Sequence, residues 1–147
     1  MPAFDPAILD DARQRRFFRH WLDKRGAAAL PSPGDFDPLD ISWALGWLSI
    51  LNVDGGTFRW RLDGSRLAEF FRVDMTGLTL EDYPDTGAIP EMRETLREAA
   101  DGSAPAYARR RYVDTRGAWA YRTLVLPAGA DRATTDTLFQ ILALDPE

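Results

Sequence analysis

Cysteine is missing from all 147 residues, which excludes disulfides, thiolate metal sites, iron–sulfur clusters and a cysteine nucleophile. Histidine occurs once, as His20. A lone imidazole completes neither a Ser-His-Asp triad with anything visible in the sequence nor a metal site of two or three histidines. Walker and dinucleotide-binding glycine patterns are also missing. No apolar run approaches the ~20 residues of a membrane-spanning helix. Met1 to Lys24 lacks the apolar segment of a secretory signal peptide, so the expected location is the cytoplasm.

Positive charge is in short supply too. With 23 acidic and 18 basic residues the formal net charge is −5. Non-specific nucleic-acid binding needs a concentrated positive face, so neither nucleic acid nor a membrane is an expected partner. Lys24 is the only lysine. What remains, 45% hydrophobic and 28% charged residues, is the composition of a soluble globular chain. A domain of this length buries roughly two-thirds of its unfolded surface and needs no covalent staples.

Residues 6–25, PAILDDARQRRFFRHWLDKR, read as a helix, with Pro6 in its first turn, Lys24 and Arg25 in its last, and Gly26 stopping it. Phe18, Trp21 and Leu22 fall on one face with Phe17 beside them. This face either packs on the chain's own core or meets a partner, most simply a second copy. A proline-rich connector follows over residues 30–40, with a short helical piece expected over 38–44. The helix and connector, residues 1–36, are thus set apart from a core domain over 37–147.

In the core the apolar period changes from 3.6 to 2. WLSILNVD (47–54) and TFRWRLDG (57–64) are two strands joined by Gly55-Gly56, a hairpin signature. Alternation puts Phe58, Trp60 and Leu62 on one face and Arg59 and Arg61 on the other. The stretch RWRLDGSRLAEFFRVDMTG (59–77) mixes arginines with rings as a nucleic-acid surface would, yet it divides into strand, turn and helix. Helices are expected over 65–71 and 89–100, with a capping-box spacing at Thr79 and Asp82 between them. Strands over 106–115, 118–127 and 135–145 close the chain. The sum is an α+β domain, a five-stranded antiparallel sheet with helices on one face, preceded by the N-terminal helix.

Taken in order, DFDPLDISWALGWLSILNVD (35–54), FRWRLDGSRLAEFFRVDMTGLTLEDY (58–83) and LVLPAG (124–129) resemble the PAS domain, and in particular a bacterial PAS-like family of single-domain proteins. One departure is Arg72, which stands where the family commonly has glycine, so the left-handed turn of that position is in question. The resemblance implies a sensory module with a small cavity between sheet and helices, and no catalysis. Haem ligation by His20 is not expected, because that histidine precedes the core, and flavin photochemistry of the PAS type requires a cysteine. No cofactor is therefore named.

A ligand, if bound, is expected among Trp60, Phe70, Phe71, Tyr83, Trp119 and Tyr121, with Arg122 as a polar contact. The same ring stripe also fits an ordinary core. Phe17, Phe18, Trp21 and Leu22 are the candidate interface of a homodimer or of a contact with a signalling protein. The expected function is that of a stand-alone sensory or regulatory module that works by binding a small ligand, by association, or both. The alternative is a small enzyme on a cone-shaped α+β fold, which would need a buried acid–base pair in its cavity.

Overall fold

Gly55 and Gly56 both take positive φ, 54° and 89°, and close a tight hairpin between β1 (Leu48–Asp54) and β2 (Thr57–Asp63). Two left-handed residues in succession match the twist of paired strands, and glycine adopts them without a Cβ penalty. In the computed structural model, which describes residues 4–146, three further strands complete the sheet. They are β3 (Ala106–Asp114), β4 (Gly117–Ala128) and β5 (Thr137–Pro146). The spatial order is β2-β1-β5-β4-β3, every neighbouring pair antiparallel.

Between β2 and β3 the chain crosses one face of the sheet through α2 (Ser65–Phe71) and α3 (Ile89–Gly102). Thr79 and Asp82 form the expected capping box on the 3-10 turn between them. Arg72 ends α2 at φ 59°, ψ 31°, so the left-handed turn forms on arginine in place of glycine. The helix expected over 6–25 is divided. A 3-10 turn covers Pro6–Ile8, and α1 runs from Ala12 to Arg25 with the Asp11 carboxylate accepting the Gln14 N–H. The helical piece expected over 38–44 is a run of turns leading into a 3-10 turn at Leu45–Trp47.

Strand alternation sends side chains into two separate cores. Leu51, Phe58, Trp60, Val125 and Leu138 pack under α3 with Leu96 and Ala99. Leu48, Leu124, Leu126, Phe139 and Ile141 point the other way and meet α1. The sheet is thus covered on both faces, by α2 and α3 on one and by α1 on the other.

Of the two roles open for the aromatic face of α1, Phe17, Phe18 and Trp21 are placed on the chain's own sheet. Phe17 and Trp21 are 0% and 1% exposed, and the Trp21 indole N–H donates to the Pro127 carbonyl at 2.8 Å. Within the candidate interface only Leu22 is exposed. The buried Gln14 amide adds two hydrogen bonds of 3.0 Å to the carbonyls of Arg122 and Ile141, pinning α1 across β4 and β5. On the solvent side of the helix, the Arg13 and Arg16 guanidinium groups lie over the rings of Trp47 and Trp43.

Candidate ligand cleft

An irregularity in β2 decides what faces the space under α2 and α3. Ser49 pairs with Asp63 and Ile50 with Leu62, but Leu51 pairs with Trp60, which leaves Arg61 as an extra residue. One unpaired residue reverses the in–out alternation beyond it. Phe58 and Trp60 face the helices and are buried, as expected. Leu62, expected on their face, instead joins Ile50 on the opposite face and is 37% exposed. Asp63 turns inward beside Ser49.

The resulting cleft is framed by Trp60, Leu67 and Phe71 on one side and Tyr83, Met92 and Thr95 on another, with Tyr121, Gln140 and Leu142 presented by the sheet. Val73 and Met75 line it from the loop after α2, and Arg110 from β3. Its empty space is ≈ 540 Å³ with the mouth included, of which ≈ 50 Å³ accommodates the centres of water-sized molecules. One water needs ~10–15 Å³ on that measure. In this conformation the interior holds a few waters or one small ring.

Among the described residues, Asp63 is the only carboxylate lining the cleft. Its Oδ1 accepts the Ser49 hydroxyl at 2.9 Å and its Oδ2 accepts the Met75 backbone N–H at 3.0 Å. Burial pushes the carboxyl above its ordinary value and Asp74 adds to the rise, while the two hydrogen bonds act against it. Across the cleft, Arg110 donates to the Glu91 carbonyl at 2.6 Å and to the Thr95 hydroxyl, and pairs with the Glu91 carboxylate at 3.4 Å. Burial drives the Tyr121 hydroxyl up to about 12 and the Tyr83 hydroxyl well above its usual value. Both phenols stay protonated at neutral pH. Neither hydroxyl, nor the Gln140 side chain, has a hydrogen-bond partner among the described residues.

Four of the seven residues expected at a ligand, Trp60, Phe71, Tyr83 and Tyr121, line this cleft. Phe70 and Trp119 are not among its lining residues. Their rings meet each other at 5.2 Å and Tyr112 at 5.6 and 6.4 Å, with Arg116 over both. Arg122 lies on the other face of the sheet, because β4 alternates and Tyr121 occupies the cleft side. There Arg122 is paired with Asp10 and Asp145. Asp63, Ser49 and Gln140 were not anticipated as cleft residues. Asp63 is hidden from strand periodicity by the bulge at Arg61.

A buried carboxylate raised above its unfolded value favours the protonated folded state. The stability it contributes is full below the ordinary carboxylate range and is lost as pH rises through the raised folded value. At neutral pH the ionised group therefore costs stability. Asp63→Asn retains a carbonyl to accept the Met75 N–H and is expected to melt at the same temperature or a few degrees higher than wild type at pH 7.5. The difference should shrink toward pH 4, as read by thermal melts followed by circular dichroism. A variant that melts lower by the same amount at both pH values would contradict this sign.

A model of the PAS domain family matches residues 9–143. No curated protein matches the sequence. Among solved structures, the PAS domain of Bordetella pertussis BvgS is similar, with 17% identity over 76% of this chain and 89% of that one, at a TM-score of 0.58. VqmA of Vibrio cholerae, in a complex with ligand and DNA, is 11% identical at a TM-score of 0.60. That match covers 76% of this chain, which spans only 52% of the VqmA chain. A light-oxygen-voltage domain studied with a flavin analogue matches 74% of this chain and 84% of its own, with 9% identity and a TM-score of 0.56. At such identities the likeness is one of fold.

Proposed function

Because the chain belongs to the PAS domain family, generally one of sensory modules rather than enzymes, we propose that it binds a small molecule in the cleft and passes the occupied state on by association. The observation that carries this is the set of polar groups, Tyr83, Tyr121 and Gln140, that face the cleft without protein partners between apolar walls. All three are partly buried, so in the empty protein water meets their polar atoms, and a ligand with matching groups between apolar walls takes the place of that water.

Binding without catalysis is the reading favoured by Asp63 standing alone. Among the described residues, the cleft lining holds no second carboxylate and no imidazole with which it could exchange a proton. His20 is on α1, beneath the opposite face of the sheet, against the rings of Phe17 and Phe36. Its value is lowered by burial and by Lys24. The enzyme reading requires an acid–base pair, and this arrangement gives it no support. Association as a homodimer, or with a signalling protein, in the cytoplasm completes the proposal. Leu22, Leu39 and Val113 are apolar side chains still open to a partner.

Native mass spectrometry tests both halves. The expected spectrum shows a dimer and, after exposure to a bacterial small-molecule extract, a mass increment that disappears on denaturation. A bare protein under all such exposures would remove the small-ligand half. A monomer throughout the micromolar range would remove the homodimer.

A further inference from the structure

The cleft has a chemical polarity that narrows its ligand. We propose that it takes a small, flat organic cation, an amidinium or arylammonium in kind, with N–H donors on the Asp63 carboxylate and the ring held among Trp60, Phe71 and Tyr83. This rests on the ligand-binding reading above and specifies it.

Asp63 is partly buried, and no ion pair within the described residues includes it. Its two protein hydrogen bonds come from neutral donors, one to each oxygen, so each oxygen keeps a free lone pair. The charge that acts on it, that of Asp74, is of the same sign. A buried carboxylate without a counter-ion is the group that gains most from a cation delivered by a ligand.

Trp60, Phe71, Tyr83 and Tyr121 are aromatic walls of one small space. Aromatic faces carry negative potential and attract ammonium, guanidinium and amidinium groups within about 6 Å. A carboxylate among several rings forms a cation site, whereas an anion there would meet unfavourable charge on every one of these surfaces.

Arg110 is the group that would argue for an anion, and its engagement answers that. Its guanidinium points to α3, where one terminal nitrogen donates to both the Glu91 carbonyl and the Thr95 hydroxyl and the other pairs with the Glu91 carboxylate. Its charge is balanced within the protein, and that of Asp63 is not. Interior volume sets the scale at a single ring.

Benzamidine, benzamide and benzoate are near-isosteres that differ in charge, and full-length protein is titrated with each at neutral pH by calorimetry and thermal shift. Benzamidine is expected to raise the melting temperature by a few degrees and the other two to leave it unmoved. Asp63→Asn, checked for fold by circular dichroism, is expected to bind benzamidine about tenfold or more weakly, as loss of a charge-assisted pair implies. Binding of benzoate or benzamide as tight as that of benzamidine overturns the cation class while leaving a ligand-binding cleft. Undiminished binding of benzamidine by Asp63→Asn overturns the assignment to this carboxylate. No shift with any of the three overturns the cation class, and the mass-spectrometric test above then judges the broader reading separately.

Discussion

Replacing Gly64 by alanine is expected to destabilise the protein by about 3 kcal/mol, at the upper end of what overpacking costs. That corresponds to a fall in melting temperature of roughly 6–12 °C for a domain of this size. The glycine's φ of −59° and ψ of 141° are open to any residue, so the cause is contact and not backbone strain. A Cβ there would sit 2.4 Å from the Gly46 carbonyl oxygen, 2.6 Å from its carbon and 2.7 Å from the Leu45 oxygen. All three are backbone atoms of the turn before β1, and they have no rotamer through which to retreat. α2 must then move away from that turn, carrying Leu67 and Phe71 and the adjoining Asp63 with it, so the cleft is disturbed as well as the fold. Gly46→Ala is the internal control. Its Cβ would meet the Cγ of Arg66 at 2.8 Å, the stem of a flexible side chain that can swing aside, and the cost should be well under half as large. Urea denaturation of both variants measures the contrast. Equal losses would mean that the turn backbone yields as easily as an arginine side chain, and the close packing at Gly64 would no longer explain the residue.

Trp21→Ala is expected to cost about 4 kcal/mol, in the range for removing a buried tryptophan, with a fall in melting temperature of roughly 8–16 °C. Two effects add. The ring is 1% exposed and stacks on Phe18 at 6.0 Å, so its loss opens a cavity under α1. The Pro127 carbonyl loses its indole donor at 2.8 Å inside that cavity. A residue that served only to hold two copies together would give a different result, namely a lighter particle of unchanged melting temperature. Light scattering beside the thermal melt separates the two. Leu22→Arg is the complementary variant: exposed at 36%, it should leave stability within about 0.5 kcal/mol and lower the mass if this side of α1 associates.

Much of the fold was legible because its signals are local. Two glycines between alternating strands define the first hairpin, α2 spans the expected residues 65–71, and the Thr79–Asp82 capping box is written in four adjacent residues. The ring set of the cleft was also partly visible, since Trp60, Phe71, Tyr83 and Tyr121 are large residues on amphipathic elements. The misreadings have separate causes. Leu62 was assigned to the wrong face, and Asp63 went unread, because a bulge cancels one step of the alternation, and no residue type in RWRLD announces it. Arg122 was taken with Tyr121, although neighbours in a strand point oppositely. The anchorage of α1 depends on sequence separations of more than 100 residues, as in the bonds from Gln14 to Arg122 and Ile141. Such a contact exists only once the sheet does.

The alternation of β5 has a mechanical meaning. Gln140 lines the cleft, while its chain neighbours Phe139 and Ile141 belong to the core beneath α1. Cleft and helix are therefore separated by a single peptide unit, not by the length of the domain. The strand acts as a shared partition, and a shift of its backbone on one side is felt at once on the other. The indoles of Trp43 and Trp47, held under arginines of α1, stand on that far side as built-in optical gauges of any such movement.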